Sequence, residues 1–192
     1  MHRKLRCLLA ALGALAASHM AQANPATAEA SSPENVTVLD RENRPILYHI
    51  DKPASSSKMP MLLVVDGSGC RGSLRKAFAS LFKPGKEGFP DYAKVWVNKP
   101  GIDPNSTDMR ECSEEFRERY SIDTAVTDHL RVLQHLRGTA RDWWDGRLMI
   151  WGWSDGGDIA ARLVAYYPNV ERAFLGAQGG GLTMATHMED YW

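Results

Sequence analysis

Apolar and polar positions fall into a regular series along the chain. Two short β-rich runs, VTVLD (36–40) and ILYHI (46–50), flank the polar RENRP, a spacing that predicts two strands joined as a hairpin or meander. The unbroken apolar run Met61–Val65 ends in a glycine-bearing stretch, DGSGC, and predicts a strand buried on both faces. SLRKAFASLF (73–82) places Leu74, Phe78, Leu81 and Phe82 on one helical face. AKVWVNKPG (93–101) predicts a further strand with a proline-glycine exit.

The clearest helical period lies in SIDTAVTDHLRVLQHLRG. Ala125, Val126, Leu130, Leu133 and Leu136 form its stripe, Ser121 or Asp123 can cap it, and Gly138 is expected to end it. RLMIWGW (147–153) predicts a strand, GDIAARLVAYYP a helix stopped by Pro168, and VERAFLGA a last strand. Two early strands followed by β-α-β-α-β-α-β predict an α/β domain. Its mostly parallel sheet would have about six strands, with helices on both faces.

Composition narrows the class. The chain has 192 residues, enough for one domain with a sizeable core, and 44% apolar and 24% charged residues are ordinary globular values. Zero formal charge gives no electrostatic case for nucleic acid or an anionic membrane.

The N-terminus reads as a signal peptide over 1–23: Arg3, Lys4 and Arg6 precede the apolar LLAALGALAA, and Ala21-Gln22-Ala23 fits a cleavage site. A buried first helix is the alternative. The apolar run is too short for a stable membrane anchor. Processing would remove Arg3, Lys4 and Arg6 and no acid, so the 23 basic residues fall to 20 against 23 acidic ones, a net of −3. An exported protein, periplasmic or secreted, is expected, with residues 24–35 as a flexible lead into a domain over 36–192. Cys7 would leave with the signal. Cys70 and Cys112 then form an even pair, expected as one disulfide in an oxidising compartment, against two free buried thiols.

Candidate chemistry centres on GWSDGG (152–157). A serine at a strand-to-helix turn needs small neighbours, supplied by Gly152 and Gly156, and the helix that follows aims its first amides at a substrate oxyanion. The motif follows a predicted strand and opens a predicted helix, which is the context that gives it value. DGSGC (66–70) is either a plain tight turn or a loop whose backbone approaches a ligand.

By these two motifs the chain resembles the α/β-hydrolase superfamily over roughly 36–181. In that family a loop after the third strand completes the oxyanion hole, and the nucleophile elbow follows the fifth; DGSGC and GWSDGG occupy those positions. The resemblance implies Ser154 as nucleophile and the N–H groups of Ser68 and Asp155 as oxyanion donors, with Gly152 and Gly156 as elbow glycines. Asp66 stands where many members carry histidine, a departure that leaves the backbone donor intact. GWSDGG is similar to exported bacterial esterase and peptidase forms. The substrate implied is a small ester or peptide, with no cofactor and no metal.

A triad needs an acid and a histidine after the serine in this family. Only 38 residues follow Ser154, and a further β-α-β unit takes ~30, so the fold is expected to stop at its sixth strand, an incomplete α/β-hydrolase. His187 is the one downstream histidine, with Glu189 or Asp190 as conceivable acids. His187 is the base only if its tail folds back over the serine; otherwise it begins a segment that leads to missing strands. His49, His129 and His135 read as surface or packed histidines, and the last two face opposite sides of one helix. Trp143 and Trp144 in RDWWDG read as a surface turn packing on the sheet edge, or as a carbohydrate-stacking pair, and EEFRERY (114–120) as a solvated face. The expectation is a serine hydrolase acting on ester or peptide bonds. The alternatives are a non-catalytic binding protein and a truncated member that keeps the cleft.

Overall fold

The structure, a computed structural model, describes residues 34–55, 57–70, 72, 91–106 and 112–177. The expected signal peptide, the helix over 73–82 and the tail bearing His187, Glu189 and Asp190 lie outside the described residues.

Six strands form one sheet: β1 (Glu34–Leu39), β2 (Pro45–Asp51), β3 (Met59–Val65), β4 (Ala93–Val97), β5 (Trp144–Trp153) and β6 (Val170–Gly176). Their order is β1-β2-β4-β3-β5-β6. β1 and β2 pair antiparallel and β2 joins β4 antiparallel, while β4, β3, β5 and β6 run parallel. All seven residues of β3 and all five of β4 are buried, so the continuous apolar runs mark the sheet's centre. β1 alternates instead. Val36 and Val38 pack on the core while Thr37 and Leu39 face solvent, as suits an edge strand.

The β1–β2 turn is closed by Asp40, whose Oδ1 accepts the N–H groups of Glu42 and Arg44 at 2.9 and 2.8 Å. β1 begins at Glu34, which pairs with Ile50, so the expected flexible lead gives up its last two residues to the sheet.

Three helices are described: α1 (Glu114–Arg119), α2 (Ile122–Thr139) and α3 (Asp155–Tyr166). Ser121 caps α2 through a capping box with Thr124. Gly138 does not end α2, which continues to Thr139 and closes on Ala140, whose N–H reaches the Leu136 carbonyl. A glycine ends a helix when the chain needs a left-handed residue, and here Ala140, at φ −95°, does not. Ala125, Val126, Leu133 and Leu136 are buried as expected, Leu130 only partly, and Val132 and His129 join them.

α2 and α3 both lie on the sheet face that carries Met61, Leu63, Val65, Val95, Leu148 and Ile150. The opposite face carries Leu62, Val64 and Trp96, with Tyr92, Met149 and Trp151 against them. Burial of each aliphatic side chain contributes about 1.5–3 kcal/mol, so the α2–α3 layer supplies most of the stabilisation described here.

Two readings need correction. Residues 141–143 do form a turn before β5, with Arg141 and Asp142 exposed, but Trp143 and Trp144 are buried in the main core rather than lying on the sheet edge, and Trp144 begins β5 with its indole N–H on the Arg147 carbonyl at 2.8 Å. The chain there bends at Gly146, with φ +93°, so the polar Asp145 and Arg147 turn outward while the indoles stay in. Residues 114–119 are a short helix rather than only a solvated face, capped by Ser113, whose Oγ accepts the Phe116 N–H at 3.0 Å.

Candidate active site

The connection leaving β3 runs to β4 on one side, while that leaving β5 runs to β6 on the other. β3 and β5 are neighbours, with Val65 opposite Gly152. Their carboxyl ends therefore open a crevice at a topological switch point, the place where open parallel sheets bind ligands. DGSGC leaves β3 there and GWSDGG leaves β5 beside it.

Ser154 stands between β5 and α3 with φ 58° and ψ −134°, a backbone conformation that costs a non-glycine residue about 1–3 kcal/mol. It is held by its N–H on the Gly176 carbonyl at 2.9 Å and by its own carbonyl, which accepts the Gly157 N–H at 2.7 Å. Its side chain makes no cap hydrogen bond to α3. The hydroxyl is thus not consumed by the helix it precedes. Asp155 and Gly156 open that helix, and the first amides of a helix have no partner within it.

The turn works only with glycines at close approach. A Cβ at Gly152 would lie 2.1 Å from the Gly156 carbonyl oxygen, and one at Gly156 would lie 2.3 Å from that of Val65. One at Gly67 would lie 2.8 Å from the Trp153 carbonyl oxygen and 3.8 Å from Ser154 Oγ. The backbone just ahead of Ser68 therefore runs alongside the serine. The structure brings Gly152, Ser154, Asp155, Gly156 and the Ser68 loop together.

That loop is tied down on its far side. Lys99 Nζ donates to the Gly69 carbonyl at 2.8 Å and lies 5.8 Å from the centre of the Tyr120 ring. Cys70 and Cys112 form the expected disulfide, with a Cα separation of 4.9 Å. Gly72 N–H donates to the Ser106 carbonyl at 2.9 Å. Sequence reasoning missed Lys99 and Tyr120. Neither lies in a motif or a periodic stripe, and only the fold carries them to the loop. Burial, with the charges of Asp155 and Asp66 nearby, raises the Tyr120 phenol above its usual pKa.

The described histidines lie elsewhere. His49 is buried in β2 with its Nδ1 on Asn35 Oδ1, and His135 meets the Tyr48 ring edge-on at 6.2 Å. His129 is buried in α2, its Nδ1 bonded to the Ala125 carbonyl at 2.7 Å, and burial lowers its pKa to about 4. Among the described residues no histidine is hydrogen-bonded to Ser154, no group of three or more His, Cys, Asp or Glu could hold a metal, and no helix is long and apolar enough to cross a membrane.

Trp153, beside the serine, is 49% exposed and stacks with Trp151 and Phe174 at centroid distances of 6.5 and 6.3 Å.

No protein-family model matches the chain, nor does any curated protein. Solved structures do. An esterase of Pyrococcus furiosus superposes with a TM-score of 0.56 at 12% identity, over 77% of this chain and 51% of its own. Brefeldin A esterase, a bacterial homologue of human hormone sensitive lipase, gives 0.56 at 13%, over 86% and 46%. The acylaminoacyl peptidase of Pyrococcus horikoshii gives 0.54 at 18%, over 77% and 23%. The chain has the α/β-hydrolase fold, and it spans about half the length of the two esterases and about a quarter of the peptidase.

Proposed function

We propose that this chain is a serine hydrolase of ester or peptide bonds, exported to the periplasm or beyond the cell, that works through an acyl-enzyme on Ser154. The observation that carries the reading is the left-handed Ser154 turn at the switch point, with the Gly67–Ser68 backbone packed beside it. A strained serine with an uncommitted hydroxyl, next to the unpaired amides of a helix start, is arranged for acyl transfer.

In this reading Ser154 Oγ attacks the substrate carbonyl carbon while its proton passes to His187. The carbonyl oxygen takes the negative charge and accepts the N–H groups of Ser68 and Asp155. The tetrahedral adduct collapses, the C–O or C–N bond breaks, and the leaving alkoxide or amine takes the proton from His187. Water, deprotonated by the same imidazole, then releases the acid and restores Ser154. The disulfide at the oxyanion loop is compatible with an oxidising compartment.

The test is labelling with a fluorophosphonate probe, applied to the wild type, Ser154→Ala and His187→Ala, each shown to be folded by circular dichroism. Labelling of the wild type, lost in both variants, is the expected result. A folded wild type that does not label would overturn the reading in favour of a binding protein that keeps the cleft.

A further inference from the structure

Beside the 66–70 loop lies a small, partly open recess with room of about 20 Å³, walled by Asp66, Asn98, Lys99, Tyr120, Asp128 and His129. Four polar atoms of these residues are buried and have no hydrogen-bond partner among the described residues: His129 Nε2, Tyr120 Oη, and Asn98 Oδ1 and Nδ2. Each such atom would carry a desolvation penalty if left alone, and native proteins rarely leave several together. The residues that carry them, at β4's exit, at α1's exit and in α2, all line this one recess. That space is large enough for one water, which needs ≳10–15 Å³ and two to four polar partners.

We propose that the recess is a binding site for a single structural water, which joins the base of the 66–70 loop to α2. The hydrogen bonds can be assigned. His129 Nδ1 bonds the Ala125 carbonyl and so carries the ring proton, which leaves Nε2 as an acceptor. Tyr120 Oη keeps its proton and donates. The water gives one hydrogen to His129 Nε2 and the other to Asn98 Oδ1, and accepts the Tyr120 O–H. Asp66, the first residue of the loop, and Lys99, which holds the Gly69 carbonyl, stand in the same wall. The water therefore braces the loop at its base while the disulfide and Lys99 hold it from the side. The hydration site stands independently of catalysis; only the value of a braced loop rests on the proposed acyl transfer.

Tyr120→Phe tests this by the sign of its effect. The substitution keeps the ring that faces Lys99 and removes only the hydroxyl. If the recess holds water, a buried hydrogen bond is lost and the midpoint of thermal unfolding falls by about 2–5 °C, from ~1 kcal/mol per bond in a chain of this size. If the recess is dry, an unsatisfied hydroxyl is removed, and the midpoint stays level or rises; that outcome overturns the proposal. Hydrogen exchange of the Ser68–Cys70 amides should quicken in Tyr120→Phe while β3 and β5 stay protected. A thermal loss with unchanged exchange there would refute the bracing. A crystal structure at ~1.5 Å gives a direct check, a water peak within hydrogen-bond distance of His129 Nε2, Tyr120 Oη and Asn98 Oδ1, and a peak-free recess would refute the site. None of these measurements requires Ser154 to react, so failure of the hydrolase reading leaves them intact.

Discussion

Gly156→Ala is the substitution on which the architecture of the elbow can be judged. A Cβ at this position would lie 2.3 Å from the Val65 carbonyl oxygen and 3.0 Å from both the carbon and oxygen of the Asp66 carbonyl. Ordinary contact begins about 1 Å further out. The obstacle is backbone of a fully buried central strand, so no side chain can swing aside. The start of α3 must retreat from β3 by about that distance. Overpacking of this kind costs about 1–3 kcal/mol, and an unyielding neighbour argues for the upper end, while the helix propensity of alanine returns up to about 1 kcal/mol. A net loss of about 2 kcal/mol should lower the midpoint of thermal unfolding by roughly 4–8 °C. A retreat of that size also draws the Asp155 amide from the Ser68 loop, and misplacement by 1 Å can slow chemistry by about 10²-fold. Both effects can be read on one preparation, by calorimetry and by the rate of fluorophosphonate labelling. Gly138→Ala is the control, since nothing lies within 4 Å of its Cβ, and it should leave the midpoint level or raise it by a few degrees. If Gly156→Ala melts with or above the wild type, the start of α3 does not press on the Val65 carbonyl, and the elbow is not seated against β3.

Other substitutions probe the same site from different directions. Ser154→Gly should stabilise the fold by about 1 kcal/mol, because glycine accepts φ 58° without strain, while abolishing labelling; a less stable variant in urea unfolding would mean that the turn is unstrained. Reduction of Cys70–Cys112, which are separated by 42 residues, frees a loop whose closure is worth about 4 kcal/mol in the chain-entropy model, so unfolding midpoints with and without reductant should differ clearly. His129 sets an acid limb. Its pKa is 6.5 unfolded and about 4 folded, so its contribution of about 3 kcal/mol is present above pH 6.5 and is lost as pH falls toward 4. His129→Leu should flatten that part of the stability–pH profile, and an unchanged slope would show that the imidazole is not shut off from bulk solvent. Asp128, raised to about 6 mainly by burial, acts in the opposite sense: it favours the fold below pH 4 and opposes it above 6, so Asp128→Asn should steepen the acid loss measured in the same titration.

What could be read from the chain followed from how strongly local chemistry constrained each element. β3 and β4 were legible because strands buried on both faces must be apolar throughout, and α2 because Ser121 and its apolar stripe agree on one helix. α1 was not, since a six-residue helix with no buried residue leaves no stripe to see. The turn at 141–143 was legible from Asp142, Asp145 and Gly146, but the depth of Trp143 and Trp144 was not, since only tertiary packing turns the indoles inward. The same limit divides the site. The Ser154 turn is local, so glycine spacing announced it. The adjacency of Gly67 and Trp153, the Lys99 bond to Gly69 and the recess beside Asp66 combine side chains from several strand and helix ends, and no single window of sequence contains them.

The register of Val65 against Gly152 has a consequence in time. Parallel neighbours cannot be joined by a tight turn, and β3 and β5 are separated in the chain by all of β4 and α2. Their pairing therefore closes a long loop, whose entropy cost is met before the contact repays it. A nascent or half-folded chain holds GWSDGG and DGSGC far apart, and the serine acquires its surroundings in the same step that completes the sheet. Appearance of the site is then a clock for folding itself, so a reagent that needs the assembled crevice reports native molecules alone.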